Sequence, residues 1–77
     1  MGQLANIAGQ KAVKVFLKLG YSVDRQEGSH MILYSPKPGL PILSIPNHKE
    51  LAPGLLRSQI KRAGISVEEF LHLLKKA

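Results

Sequence analysis

Two short alternating runs meet at Glu27-Gly28, and this junction constrains the fold of the 77-residue chain more than any other feature. A polar residue followed by Gly supplies the positive φ that a tight hairpin turn requires. Before it, Tyr21–Gln26 alternates, with Tyr21, Val23 and Arg25 on one side and Ser22, Asp24 and Gln26 on the other. After it, His30–Ser35 sets His30, Ile32 and Tyr34 on one face and Met31, Leu33 and Ser35 on the other. Both faces carry apolar residues, so the period alone leaves open which one meets the core.

The stretch Pro36-Lys37-Pro38-Gly39-Leu40-Pro41 reads as a turn, because three prolines in six residues exclude a central strand. Ile42–Ile45 then supplies a third strand, which Pro46 ends. Three sequential strands with short connections predict an antiparallel meander.

Helical patterns lie on either side. Over Gly9–Leu19, Ala12, Val13, Phe16 and Leu17 make one apolar stripe, while Lys11, Lys14 and Lys18 make a basic ridge. Gly20 is placed to stop that helix in the left-handed region. Residues 1–8 read as a loosely ordered lead-in, in which Leu4 and Ile7 are the residues able to pack. Asn47–Ala52 is a loop carrying His48 and Lys49, and Pro53 suits the first position of a helix running to Ala63. Leu56, Ile60 and Ala63 are its expected buried positions, with Arg57, Lys61 and Arg62 outside. Gly64 closes it. Ser66 and Glu69 then form a capping box, with Ile65 and Phe70 as its hydrophobic staple. Val67, Phe70, Leu71 and Leu74 continue the apolar face towards the basic end at Lys75-Lys76. The order α-β-β-β-α-α predicts a two-layer α+β domain with helices on one face of a three-stranded antiparallel sheet.

Length allows one domain, over residues 1–77, near the lower limit for an unstapled core. There is no cysteine, so neither disulfides nor thiolate–metal ligation contributes. No apolar run reaches bilayer length and the first residues do not resemble a signal peptide, so a cytoplasmic protein without membrane contact is expected. Eleven Lys and Arg against five acids give a net charge of +6. That balance favours a polyanionic partner such as nucleic acid, although basic membrane-surface proteins share it.

Among the candidate chemistries, metal binding is poorly served, since His30, His48 and His72 match no ligand spacing. Ser29 and His30 are consecutive on a strand, so their side chains diverge and make a poor nucleophile–base pair; Ser29 suits a turn-fixing hydroxyl better. RNA cleavage demands less, because RNA brings its own 2′-OH nucleophile. His30, on the first rung after the turn, is the candidate general acid or base. Taken alone, a histidine at a strand end is more often an exposed polar residue. Arg25 is a candidate phosphate ligand, Lys49 and Arg57 are placed to hold the backbone, and His48 is the second acid/base candidate. Lys61 and the ridge Lys11, Lys14 and Lys18 extend the positive surface.

Four blocks in order carry a family resemblance: Arg25-Gln26-Glu27-Gly28-Ser29-His30, Ile45-Pro46-Asn47-His48-Lys49-Glu50-Leu51, Gly54-Leu55-Leu56-Arg57-Ser58, and Ala63-Gly64-Ile65-Ser66. Together they resemble the HicA (YcfA-like) toxins, with a match running from about Gly9 to Leu74. The resemblance implies a double-stranded-RNA-binding-like fold with an added C-terminal helix. It also implies a toxin that cleaves mRNA, with His30 of the Gly28-Ser29-His30 motif as the catalytic residue. Since the residues offer no ligand set for Mg²⁺ or Zn²⁺, cleavage without metal or cofactor is expected. The implied partners are mRNA and a HicB-like antitoxin, and the free chain is expected to be monomeric. Glu27, where a basic or small polar residue is common, and Leu55, in place of a frequent Thr, depart from the family pattern. Two other readings compete: a non-catalytic RNA-binding module of the same fold, and a DNA-reading helix-turn-helix built from the last two helices. Glu68 and Glu69 sit at the wrong end of the last helix for the latter.

Overall fold

The structure is a computed structural model that describes residues 4–35 and 37–76. Its elements are α1 (Gly9–Lys18), β1 (Ser22–Glu27), β2 (His30–Tyr34), β3 (Leu43–Pro46), α2 (Pro53–Arg62) and α3 (Val67–Lys75). This is the expected α+β order, and the strands form one antiparallel sheet in the order β1-β2-β3. Pro46 closes β3 instead of lying beyond it, paired with His30. An edge strand tolerates proline there because its missing N–H faces no neighbour.

The ambiguity over the two faces of β2 is resolved by its partners. Met31 and Leu33 pair with Ile45 and Leu43, and all four join the core with residues of the helices. His30, Ile32 and Tyr34 therefore face the side that the helices leave uncovered. Tyr34 is 57% exposed there. A bulge changes the predicted grouping on β1. The register passes from Val23↔Leu33 to Arg25↔Ile32, so Asp24 is the extra residue. Val23 and Arg25 consequently lie on opposite faces, not on one.

On α1 the buried residues are Gly9, Ala12, Val13, Val15 and Phe16, whereas Leu17, expected in the stripe, is 42% exposed. Val15 lies nearer than Leu17 to the line joining Ala12 and Phe16, and that line faces the sheet. Phe16 is the centre of the core, meeting Tyr21 edge-on at 5.9 Å and Phe70 at 5.5 Å between ring centroids. Gly20 adopts φ 102° after α1, the left-handed stop that its position predicted. Leu56 and Ile60 on α2, and Ala63 at its C-cap, are buried as expected, the helix ending at Arg62 and not at Ala63. Gln59 is buried as well, and its Oε1 accepts the backbone N–H of Ser44 at 3.4 Å, occupying part of the outer edge of β3. α3 begins with Ser66 Oγ accepting the N–H of Glu69 at 3.0 Å, the forward half of the capping box.

The lead-in makes contacts over its described part. Leu4 and Ile7 are buried, Leu51 N–H donates to the Ile7 carbonyl at 2.8 Å, and Asn6 N–H donates to Glu50 Oε2 at 3.3 Å. Two apolar anchors and two hydrogen bonds hold it against the loop before α2. Residues 1–3 of that lead-in, and Pro36 of the turn, lie outside the described residues.

Candidate functional site

The turn between β1 and β2 is Gly28-Ser29, one residue later than the Glu27-Gly28 expected, and Glu27 closes it against His30. Gly28 has φ 59° and Ser29 has no positive φ, the pattern of a turn with glycine at its first central position. The turn is held from outside. Asn47 N–H donates to the Ser29 carbonyl at 2.6 Å, and Gln26 Nε2 donates to the Gly28 carbonyl at 3.2 Å. Ser29 is thus fixed through its carbonyl, not through the hydroxyl that the sequence pointed to. One loop further, Gly9 N–H donates to the His48 carbonyl at 2.9 Å. Hairpin, loop and start of α1 form one connected end of the molecule.

The sequence candidates divide into three groups across the surface. Arg25, Gly28, Ser29 and His30 share the hairpin, and all are exposed. His48 and Lys49 stand in the adjoining loop, where with Ala8, Gln10 and Asn47 they line a cleft of about 200 Å³. The remaining cations lie elsewhere. Lys11, Lys14 and Lys18 are exposed on the side of α1 turned away from its buried residues, while Arg57 and Lys61 are exposed on α2. The lysine ridge therefore looks out from the helix layer and His30 from the opposite, uncovered side of the sheet. Lys18 is also engaged: its Nζ donates to the Lys76 carbonyl at 3.0 Å, tying α1 to the end of α3.

Arg25 is engaged too. Its Nε donates to Glu27 Oε2 at 2.7 Å, and its Nη1 pairs with the Asp24 carboxylate. Its pKa is raised above the usual arginine value, first by the hydrogen bond to Glu27 and then by that to Asp24. The guanidinium stays charged, yet two acids of its own strand already neutralise it. Glu27 matters to the site for a reason the sequence reading missed, since it was noted only as a departure from a family pattern. A two-residue loop makes the residues before and after it direct cross-strand partners. That consequence was available from Gly28-Ser29 once the turn was placed correctly.

Comparison with protein families adds the decisive observation. The model of the HicA toxin of bacterial toxin–antitoxin systems matches residues 9–65, which include α1, the hairpin, the histidine loop and α2. The chain belongs to the HicA toxin family. No curated protein matches the chain. As a HicA toxin it is one half of a toxin–antitoxin pair, and an antitoxin is its partner. No described helix is long and apolar enough to cross a membrane. Among the described residues, no three of His, Cys, Asp and Glu gather as a metal-binding group.

The end of this HicA domain around Gly28-Ser29-His30 is suited to acid–base work on an anionic substrate. His30 offers an exposed imidazole on a strand whose position is set on both sides, by Glu27 on β1 and Pro46 on β3. Gly28 adds a stretch of backbone without a side chain, with open space where a Cβ would stand. On α3, Glu68 and Glu69 occupy the first turn, which argues against that helix end approaching DNA bases.

Proposed function

We propose that this HicA toxin is an endoribonuclease that cleaves mRNA without a metal, with His30 as a proton-transfer group. The observation that carries the reading is the placement of His30. It is exposed on the first rung after a fixed turn, on the sheet face that the helices leave open, and Arg25 stands on the same face. RNA supplies the attacking 2′-OH, so the protein needs proton transfer and charge stabilisation at phosphorus but no nucleophile of its own. Arg25 would bind phosphate through the N–H groups that Glu27 and Asp24 leave free, Lys49 in the adjoining loop would hold the flanking backbone, and Arg57 on α2 would meet it further along. The lysines of α1 and Lys61 would act at longer range, raising the local concentration of RNA.

The antitoxin we expect is HicB-like and acidic. A partner that laid carboxylates over the hairpin would deny RNA both the imidazole and its cations, drawing contacts from Arg25, His30, Lys49 and Arg57. The test is cleavage of an RNA substrate and growth arrest by the wild type and by His30→Ala, each shown to be folded. His30 is exposed, so the variant should keep the fold and lose both activities. Full cleavage by folded His30→Ala would remove His30 from the mechanism and return attention to His48.

A further inference from the structure

We propose that Glu27 and His30 form a proton-transfer pair, the carboxylate taking the proton of the 2′-OH and the imidazolium giving one to the leaving oxygen. This deepens the ribonuclease reading and rests on it. Glu27 and His30 are direct partners across the hairpin. Cross-strand partners point to one face with Cβ atoms about 4.5–5.5 Å apart, a gap that a single ribose–phosphate unit can bridge. Both side chains are exposed on the open side of the sheet. The partner of His30 on its other flank is Pro46, which has no proton to exchange. Of the two residues paired directly with His30, Glu27 is therefore the one able to exchange a proton.

Its carboxylate is also oriented. Arg25, two residues back on the same face, donates Nε to Glu27 Oε2 at 2.7 Å. A carboxylate has about four acceptor sites, so that bond leaves capacity for the substrate hydroxyl. The same guanidinium is held by Asp24, which anchors it beside the pair, next to where a scissile phosphate would sit. The tie from Asn47 to Ser29 keeps the two strand ends in register. The other charged and titratable groups near this end are Asp24 and Arg25 on β1, and His48 and Lys49 in the loop that touches the turn. His48 was the sequence candidate for the second proton-transfer role. Glu27 faces His30 directly, and His48 lies beyond Pro46.

The step balances. The 2′-O–H bond breaks and its proton passes to Glu27. The 2′ oxygen forms a bond to phosphorus, the P–O5′ bond breaks, and O5′ takes the proton of His30. The products are a 2′,3′-cyclic phosphate and a 5′-OH end, with Glu27 protonated and His30 neutral until solvent restores them. A carboxylate enters neutral solution as a base, and histidine is the residue able to be protonated there, which assigns the two roles.

The experiment is the pH–rate profile of cleavage of an end-labelled RNA oligonucleotide by the full chain, for wild type, Glu27→Gln, Glu27→Ala and His30→Ala. A 2′-O-methyl version of the oligonucleotide measures binding separately. The wild type should give a bell-shaped profile and cyclic-phosphate ends. Glu27→Gln, nearly isosteric and on an exposed strand, should keep the fold and bind the 2′-O-methyl oligonucleotide at least as tightly as the wild type, since it frees part of Arg25. Its rate should fall by about 10²–10⁴-fold, with the acid-side limb lost and the alkaline limb kept. Added formate should recover part of the rate of Glu27→Ala. If Glu27→Gln cleaves at the wild-type rate with both limbs intact, Glu27 only pairs with Arg25; the pair is refuted and the ribonuclease reading stands. If the wild type releases no product, the ribonuclease reading fails, and the pair with it; if folded His30→Ala cleaves like the wild type, the pair is refuted and the ribonuclease reading passes to His48.

Discussion

Asn47 donates its backbone N–H to the carbonyl of Ser29 at 2.6 Å, joining the turn that carries His30 to the loop that carries His48. The link extends to α1, because Gly9 donates its N–H to the carbonyl of His48, the next residue along. A side chain next to a two-residue turn would otherwise swing with the hairpin. Here its backbone is braced through main-chain bonds that no side-chain substitution removes directly.

Gly9 is the weak point of that brace. A Cβ at this position would stand 2.0 Å from the Pro46 carbonyl oxygen, which is backbone and cannot rotate away. Gly9→Ala should destabilise the domain by about 1–3 kcal/mol, the usual cost of overpacking. Denaturant unfolding gives the stability change. An amide spectrum should show the largest shifts at Asn47 and His48, and an unchanged midpoint would contradict the close approach.

Burial separates Leu17 from Phe70 although both are large and apolar. Phe70 is fully buried against Phe16, so Phe70→Ala should cost about 3–5 kcal/mol, a large share of the stability of so small a domain. Leu17→Ala should stay within about 0.5 kcal/mol, as surface substitutions usually do. Thermal melts of the two variants side by side test the rotation of α1. Comparable losses would restore Leu17 to the core.

Removing the Ser66 hydroxyl tests the start of α3. Ser66→Ala deletes the acceptor for the Glu69 N–H and should lower stability by about 1 kcal/mol. Ser66→Asp should recover most of that loss, since aspartate caps equally well and favours the positive end of the helix dipole.

Asp24→Asn should strengthen RNA binding, because it frees part of the Arg25 guanidinium and raises the net charge by one. Binding of a non-cleavable RNA, followed against salt, should show a steeper slope than the wild type. Arg57→Ala and Lys61→Ala should each flatten the slope by about 0.7, the share of one released counterion on single-stranded RNA. Titration of Arg25 contributes nothing to such curves at ordinary pH. Its pKa is raised in the folded chain, so the stabilising effect is fully present below the unfolded value and is lost only as alkaline pH passes the folded one. A salt slope unmoved by all three substitutions would exclude an electrostatic contribution from these residues.

Much of this protein is local, and local features are legible in a sequence. Glycine and proline punctuation set the number and order of elements, Ser66 and Glu69 marked the start of α3, and four short blocks pointed to the HicA family. The tertiary structure decided what local pattern leaves degenerate. Both faces of β2 are apolar, and only packing on Leu43, Ile45 and the helices selected Met31 and Leu33 for the core, leaving His30 outside. The bulge at Asp24 parted Val23 from Arg25, an outcome set by pairing energy across two strands and not by either strand's own alternation. Net charge summed all the cations, but the fold set the α1 lysines on one side and His30 on the other, and gave Arg25 two carboxylate partners. Such pairings depend on strand register, which the folded sheet fixes: the turn at Gly28-Ser29, one residue later than the local pattern suggested, is what sets Glu27 opposite His30.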